Sequence, residues 1–349
     1  MPERPIFIVG AMGSGTTLLR LMLDSHPAIA VPPETGFMRS YNAQRFAPFK
    51  HSGRHWAGRL GWSEEELDAE LRAFYDRLFT RYAEQHGKRR WGEKTPLHTW
   101  HVENIARLFP DAVFVGMVRH PLGSVGSNLS RFTAGMRQHA RHWERYSHEV
   151  VAQALRHPER FVLLRYEDLV LRPREAMGEL LDWLGEPWSD AVLSHHEVQA
   201  GRGGVLTVEG RSRADDPIDV SRIHKWQGTL GDEEKQWLAG RLKRRAEFFG
   251  YALDGAALEP LGASLLIRAA ELAARAERYP DLGLEKAGKR SPFEDVYDPR
   301  KVTLVAHKWK RKNKPPLELR VKQAGFAVRE RIAPLARRVR HWARRYGPG

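Results

Sequence analysis

The chain has 349 residues, of which 42% are hydrophobic and 29% charged, a composition typical of a globular domain with a sizeable core. It contains no cysteine, which excludes a disulfide framework and any cysteine-ligated metal site. The formal net charge is +14, but residues 301–349 carry 15 basic and 2 acidic side chains, so the rest of the chain is nearly neutral.

The first predicted elements lie at the amino terminus. Ile6–Val9 is a short apolar run that ends in a glycine cluster, which is typical of a buried parallel strand. Thr16–Ser25 carries leucines suited to a helix that stops at His26 and Pro27. No basic segment followed by an apolar one precedes the strand, and no apolar run reaches 18 residues. We therefore expect a cytoplasmic protein without a membrane span.

A long helix is predicted next. Ser63 and Glu66 have the spacing of a capping box, which marks a helix start. The apolar residues that recur at helical spacing behind it are Leu67, Leu71, Phe74, Leu78 and Tyr82.

Strands and helices then alternate along the chain. Val113–Val118 and Phe161–Arg165 predict buried strands, whereas Arg174–Leu184 and Asp232–Phe249 predict helices. This alternation predicts an α/β fold with a central parallel sheet, flanking helices and right-handed crossovers.

A change of composition near Tyr251–Pro260 predicts a boundary between a first domain, 1–255, and a mainly helical, basic C-terminal extension, 256–349. The extension begins with a predicted helix over Ser264–Tyr279, for which Ser264 is the candidate N-cap.

The basic tail predicts an amphipathic helix over Val328–Tyr346, with a kink at Pro334. Three interpretations stay open: packing on the core or another subunit, peripheral contact with an anionic inner membrane surface, or nucleic-acid binding. No nucleic-acid-binding module accompanies the charge, which argues against the third.

A glycine-rich loop over residues 10–17 joins the first strand to the first helix. Gly10, Gly13 and Gly15 let backbone N–H groups converge on an anion at the helix N-terminus. The spacing of Gly10 and Gly15 matches a P-loop, but Thr16 stands where that loop carries its lysine. Because that lysine neutralises a γ-phosphate, ATP chemistry is not expected.

Residues 10–27, GAMGSGTTLLRLMLDSHP, resemble the 5′-phosphosulfate loop of PAPS-dependent sulfotransferases, in the branch with tyrosylprotein, bacterial and carbohydrate enzymes. PAPS is 3′-phosphoadenosine 5′-phosphosulfate. Arg119, followed by Pro121 and, eight residues after the arginine, by Ser127, is similar to the family's 3′-phosphate segment. A guanidinium and a hydroxyl suit a phosphate. The stretches 165–169 and 225–228 resemble two further family motifs.

The resemblance implies a sheet of the P-loop NTPase-like type, PAPS as donor, PAP as product, a hydroxyl-bearing acceptor and no metal. The implied nucleotide-binding residues are Gly10, Gly13, Ser14, Gly15, Thr16, Thr17, Arg119, Ser127, Tyr166, Lys225 and Trp226.

One position departs from the resembled branch. Relatives commonly carry arginine or lysine directly before Ser-Gly-Thr-Thr, where this chain has Gly13. The missing positive charge is expected from Arg20, one helical turn further on, or from Lys94.

Sulfuryl transfer requires a base for the acceptor proton and positive charge for the leaving oxygen. Glu34 follows two prolines where tyrosylprotein-type enzymes, by resemblance, carry a catalytic glutamate. Lys94 resembles the lysine of the family's Lys-x-Pro, which contacts the bridging oxygen. His98 or His101 is the alternative base.

Two other functions are weighed against sulfuryl transfer. The Arg119–Ser127 pair and the absent lysine argue against a P-loop kinase or NTPase. A non-catalytic or divergent nucleotide-binding protein with a membrane- or partner-binding tail is the alternative that Gly13 keeps open. No carboxylate pattern joins His139 and His142, so we expect no metal site there.

Overall fold

The computed structural model describes residues 4–46, 53–201, 206–207, 210–211, 216–253 and 258–284. The chain divides into two compact units, Met1–Pro292 and Phe293–Gly349, and the described residues all belong to the first. The tail helix predicted over Val328–Tyr346 lies outside the described residues.

A six-stranded sheet in the order β2-β3-β1-β4-β5-β8 forms the centre of the first unit. Five of its strands are parallel, and only the edge strand β8 runs antiparallel to its neighbour β5. The predicted α/β class is therefore confirmed. The sheet strands are β1 (Ile6–Gly10), β2 (Ile29–Ala30), β3 (Arg90–Lys94), β4 (Val113–Val118), β5 (Phe161–Arg165) and β8 (Leu266–Ile267), with β6 (Leu206–Thr207) and β7 (Gly210–Arg211) as a separate pair.

Three strands of the six-stranded sheet were not predicted from sequence. β2 and β8 have two residues each, too few for a periodic signal. β3 has the sequence RWGEK, and its charged side chains are buried because partners elsewhere in the chain neutralise them. Arg90 in β3, for example, donates to the Leu184 carbonyl and to Glu186.

Helices cover both faces of the sheet. Of the predicted helices, the first is confirmed as α1, and two others are confirmed with one end shifted by a residue, as α9 and α12. The helices are α1 (Thr16–Ser25), α2 (Met38–Phe46), α3 (Gly53–Arg59), α4 (Glu64–Gln85), α5 (Val102–Leu108), α6 (Pro121–Leu129), α7 (Met136–Arg156), α8 (Tyr166–Leu171), α9 (Pro173–Leu184), α10 (His195–Gly201), α11 (Trp226–Thr229), α12 (Asp232–Phe248) and α13 (Ala269–Arg278).

The core consists of two apolar clusters, one on each face of the sheet. Phe7 and Val9 of β1 belong to the first cluster, and Ile6 and Ile8 belong to the second, as the two-residue period of a strand requires. All four side chains are fully buried. Strand β1, which carries the glycine loop at its carboxyl end, is thus held on both faces and by two parallel neighbours.

The apolar face predicted for α4 is partly wrong. The capping box is confirmed, since the Glu66 N–H donates to Ser63 Oγ at 3.1 Å and Glu66 Oε2 accepts the Ser63 N–H at 2.7 Å. Phe74 and Leu78, however, are 48% and 52% exposed. The side facing the sheet carries Tyr75 and Phe79 instead, each one residue, or about 100° of helix, further on.

The segment after residue 255 also differs from the prediction. Ser264 is not an N-cap: its hydroxyl contacts Glu179 Oε2 at 2.5 Å, and α13 begins only at Ala269. The intervening residues are extended because Leu266 and Ile267 pair with β5. Residues 258–284 therefore belong to the first compact unit, and the boundary predicted at 255/256 falls inside that unit.

Candidate active site

The glycine loop lies at the carboxyl end of β1, directly before α1. Gly15 is the N-cap of α1 with φ of 93°, in the left-handed region. A Cβ at this position would lie 2.4 Å from Cδ2 of Tyr166. Only glycine therefore lets the start of α1 approach the ring of Tyr166, and the two residues form one wall.

A cavity of about 500 Å³ opens in front of this wall, between the loop, α6, α8 and the segment 216–229. Such a volume suits a mononucleotide-sized ligand. Its lining residues are Gly13, Gly15, Thr16, Thr17, Leu18, Arg119, Gly123, Gly126, Ser127, Ser130, Arg131, Tyr166, Asp216, Pro217, Ile218, Asp219, Arg222, Lys225, Trp226 and Thr229.

Nine of the residues predicted to bind nucleotide line this cavity, and two do not. Ser14 is 1% exposed, and its hydroxyl donates to the Ala11 carbonyl at 2.6 Å. The Gly10 N–H donates to Thr99 Oγ1 at 2.8 Å. Because these hydrogen-bonding groups are engaged within the protein, we assign both residues to the shape of the turn and not to the cavity lining.

Arg119 stands at the end of β4 and joins three parts of the cavity. Its Nη1 donates to the Gly13 carbonyl at 3.2 Å, and its Nη2 donates to the Arg222 carbonyl at 2.9 Å. The guanidinium lies 4.1 Å from the centre of the Tyr166 ring. Its Nε is buried and has no hydrogen-bond partner among the described residues. A positive group is therefore fixed in the wall with donor capacity left over.

A buried carboxylate lies behind Arg119. Glu167 accepts the His120 N–H at 3.0 Å and the Tyr251 hydroxyl at 2.9 Å. Burial raises the pKa of Glu167, and the charge of Arg119 opposes that rise. Trp226, on the other side of His120, stacks on that imidazole with the ring centres 5.4 Å apart. Trp226 is thus held at the cavity edge by packing.

Sequence reasoning missed several cavity residues. Arg131 lies two residues beyond the end of α6 and lines the cavity with Ser127, and its nearness to Ser127 in sequence was the available signal. Arg222 precedes Lys225 by three residues but pairs with Asp216 and Asp219. No local pattern indicates that the two carboxylates and the arginine share one cavity.

A second cluster lies where Thr17 ends the loop. Lys94, the last residue of β3, is 2% exposed; its Nζ contacts Thr17 Oγ1 at 3.3 Å and forms a very short ion pair with Glu34. The Glu34 side chain is 48% exposed. Burial lowers the pKa of Lys94, and the Glu34 carboxylate opposes that change. Glu34, Lys94 and Thr17 therefore come together from three separate segments.

Glu93 holds this cluster in position. It is fully buried and accepts hydrogen bonds from the Thr35 hydroxyl at 2.9 Å and the Thr95 hydroxyl at 2.7 Å. Thr35 follows Glu34, and Thr95 follows Lys94. One carboxylate thus fixes the two chain segments that carry the ion pair.

His98 also depends on Glu93. Its Nδ1 contacts Glu93 Oε2 at 2.6 Å, it is 1% exposed, and it is not among the cavity-lining residues. His101 contacts Asn42 through Nδ1, and burial lowers its pKa to about 3. Of the three candidate bases, Glu34 alone contacts the lysine beside the loop.

The Arg20 guanidinium is engaged by backbone of the chain. Its Nη1 donates to the Val31 carbonyl at 2.9 Å, and the residue is 4% exposed and absent from the cavity lining. Lys94, by contrast, contacts Thr17, which lines the cavity. Lys94 therefore places a positive charge directly beside the loop.

Among the described residues, no group of three or more histidine, cysteine, aspartate or glutamate side chains is arranged to hold a metal ion. In the same part of the chain, no helix has the length and apolar character needed to cross a membrane.

Comparison with known proteins adds to this geometry. The model of the sulfotransferase family matches residues 5–190, more than half of the chain. The chain belongs to the sulfotransferase family. This sulfotransferase-family chain is 32% identical over 238 residues to protein-tyrosine sulfotransferase 1 of Danio rerio, covering 64% of the chain and 66% of that protein.

A second relative, protein-tyrosine sulfotransferase 2 of Gallus gallus, is 32% identical over 248 residues, covering 67% of the chain and 66% of that protein. The sulfotransferase-family chain thus spans just under two thirds of the length of these relatives. A solved structure, the sulfotransferase domain from the curacin biosynthetic pathway, is 21% identical with a TM-score of 0.49, covering 70% of this chain and 98% of that one.

Proposed function

We propose that this protein transfers a sulfuryl group from PAPS to the phenolic hydroxyl of a tyrosyl residue and releases PAP. One observation carries the proposal: Thr17 lines the cavity together with Arg119 and Ser127, and it also contacts Lys94 of the Lys94–Glu34 pair. A nucleotide site and an acid–base pair therefore share one residue. The tyrosyl acceptor is supported by the relatives named protein-tyrosine sulfotransferases.

The residues of the cavity fit a nucleotide with two separated anionic groups. The loop and the start of α1 offer glycine backbone and the Thr16 and Thr17 hydroxyls to one group. Arg119, Ser127 and Arg131 offer two guanidinium groups and a hydroxyl to the other. Nη1 and Nη2 of Arg119 each donate one N–H to a backbone carbonyl and carry a second N–H that can serve such a ligand.

The chemistry follows from the Lys94–Glu34 pair. PAPS, when bound, supplies the sulfuryl group that becomes attached to the acceptor oxygen. Glu34 takes the proton of the acceptor hydroxyl, because it is the exposed carboxylate of the pair. Lys94 stabilises negative charge on the leaving phosphate oxygen, because it is a buried ammonium beside the loop. Glu93 and His98 position these groups through Thr35 and Thr95.

The surroundings of Glu34 suit an aromatic acceptor. Trp100 and His142 pack on Tyr146, with ring centres 5.3 Å and 4.1 Å apart. Burial raises the pKa of Tyr146, and the nearby Glu34 carboxylate adds to that rise. Trp100, His142 and Tyr146 form an aromatic cluster, and a phenol ring packs favourably against such a cluster.

The proposal is tested by incubating the protein with sulfur-labelled PAPS and three peptides that differ only in carrying tyrosine, phenylalanine or serine at one position. We expect label on the tyrosyl peptide alone. Glu34→Gln is expected to lower kcat by about 10²- to 10⁴-fold, the usual contribution of a general base, with PAP affinity preserved.

Glu65→Gln, an exposed glutamate on α4, is the matched control and is expected to retain full activity. Label on the seryl peptide at an equal rate would overturn the tyrosyl assignment. Full activity of Glu34→Gln would remove Glu34 from its role as base.

A further inference from the structure

We infer that Asn128 is a positioning residue for the phosphate loop and that it occupies the space which a side chain at position 13 would need. Asn128 lies on α6, one residue after Ser127, and is 1% exposed. No motif singled it out. The expected effect of Asn128 on binding of the donor rests on the proposed function, whereas its expected effect on packing does not.

The first observation is the contact between Asn128 and the loop. Its Nδ2 donates to the Met12 carbonyl at 2.9 Å, and the Ser124 hydroxyl, one helical turn earlier on α6, contacts the same oxygen at 3.3 Å. Reversing the amide would set two oxygens against each other, so the donor must face the loop. Helix α6 therefore anchors the loop through Met12.

The second observation concerns the neighbouring peptide. The Gly13 carbonyl accepts from Arg119 Nη1 at 3.2 Å. Two successive carbonyls, those of Met12 and Gly13, are thus engaged by fixed donors. Because the N–H and C=O of a trans peptide point in opposite directions, these bonds also fix the direction of the Gly13 N–H. Neither carbonyl can turn toward a bound anion, which it would repel.

The third observation explains the departure at Gly13. Its φ is 81°, and a Cβ there would lie 2.7 Å from Asn128 Oδ1 and 3.0 Å from the Ser124 carbonyl. Asn128 Oδ1 is buried without a hydrogen-bond partner among the described residues. The amide is held in this place by its bond to Met12, so an arginine or lysine at position 13 would displace it.

The pair Gly13–Asn128 therefore replaces the basic side chain that the resembled branch commonly carries. It fixes the backbone of the loop and leaves the positive charge at the transferring end to Lys94, beside Thr17. Two positions more than 100 residues apart are thus expected to act as one unit.

A double-mutant cycle tests this with wild type, Gly13→Ala, Asn128→Ala and the double variant. Asn128→Ala is expected to raise KM for PAPS about two- to tenfold, the range of one lost hydrogen bond, and to leave KM for the tyrosyl peptide unchanged. In the Gly13→Ala background the same substitution is expected to raise the ligand-free Tm, because it relieves the clash.

Asn104→Ala is the matched control, since it also loses one amide hydrogen bond, to Asn42 Oδ1 at 3.1 Å. It is expected to change neither KM. If Asn128→Ala does not fold, Asn128→Leu keeps a similar volume, removes the donor and is expected to raise KM for PAPS in the same way.

Equal changes in both KM values, or additive Tm changes around the cycle, would overturn the inference. Failure of the proposed function would look different: PAP would raise the Tm of none of the four proteins, wild type included. The ligand-free cycle would still decide whether Gly13 and Asn128 act as a pair.

Discussion

The cavity and the Lys94–Glu34 cluster that adjoins it at Thr17 form two ends of the candidate site, and they are built from different kinds of contact. At the end that holds Arg119, the bonds run from side chains to backbone: the guanidinium donates to the Gly13 and Arg222 carbonyls. At the end that holds Lys94, the contacts join side chains, with the lysine between Glu34 and Thr17. The proposed binding group Arg119 is thus fixed to the backbone, whereas the proposed acid–base pair is held by other side chains.

This difference has a physical reason. A site for a permanent anion gains from donors that cannot rotate, because no reorganisation is needed when the ligand arrives. A base must accept a proton and then release it, so it needs contact with solvent. Glu34 is half exposed, whereas Arg119 is 8% exposed. Substitutions at the two ends should therefore separate kcat from donor affinity.

The largest effect on activity is expected at the end that holds Lys94. Lys94→Met should lower kcat by about 10²- to 10³-fold, because a buried charge that stabilises the leaving oxygen is lost. PAP affinity, measured by titration, should change far less. The control is Lys243→Met on α12, whose side chain is 70% exposed. A loss of PAP affinity as large as the loss of kcat would erase the proposed difference between the ends.

A smaller effect, on the affinity for PAP, is expected at the end that holds Arg119. Arg119→Met should weaken PAP binding about 10- to 100-fold, since charge-assisted hydrogen bonds are lost. Arg119→Lys should rescue little, because an ammonium lacks the forked donors. Arg174→Met, with 67% of the arginine side chain exposed, is the control. Unchanged PAP affinity in Arg119→Met would move the phosphate site elsewhere.

Trp100→Ala is expected to act on the acceptor alone. It should raise KM for the tyrosyl peptide about two- to tenfold, the range of one aromatic pair, with PAP affinity unchanged. Trp188→Ala, a partly exposed tryptophan stacked with Arg174, provides the control. Equal KM values for wild type and Trp100→Ala would remove the aromatic cluster from the acceptor site.

The smallest effect concerns stability in acid. Burial lowers the pKa of His142 from 6.5 to about 4, so the unfolded chain takes up a proton more readily than the folded one. The contribution of neutral His142 is complete above pH 6.5 and is lost as the pH falls to about 4. At pH 5 the loss is about 2 kcal/mol.

His142→Phe should therefore lose less unfolding free energy than wild type between pH 7 and pH 5, as measured by denaturant titration. His86→Phe, at an exposed position, should behave as wild type. An identical pH dependence in all three proteins would contradict the assignment to His142.

Much of the end that holds Arg119 was predictable because each of its motifs is contiguous in sequence. The glycine loop directly follows an apolar strand, and Arg119 and Ser127 are eight residues apart, so local spacing encodes both features. The buried strands of the sheet were predictable from uninterrupted apolar runs for the same reason. Strand β3 was not, since its Arg90, Glu93 and Lys94 become acceptable in a core only through distant partners.

The contacts that hold Glu34 and Lys94 in position were not predictable from sequence. Glu93 contacts Thr35, 58 residues away in sequence, and no local pattern records that pairing. His98 looked like a base in sequence, but its partner Glu93 and its burial are visible only in three dimensions. The same holds for Asn128, whose partner Met12 is 116 residues away.

The central claim is that one cavity binds a nucleotide carrying a separate 3′-phosphate. Titration of the protein with PAP and with adenosine 5′-phosphate, which lacks the 3′-phosphate, tests it most directly. PAP should bind at least about 10²-fold more tightly, and Arg119→Met should remove most of that preference. Equal affinity for the two nucleotides, or tighter binding of ATP with Mg²⁺ than of PAP, would contradict the claim.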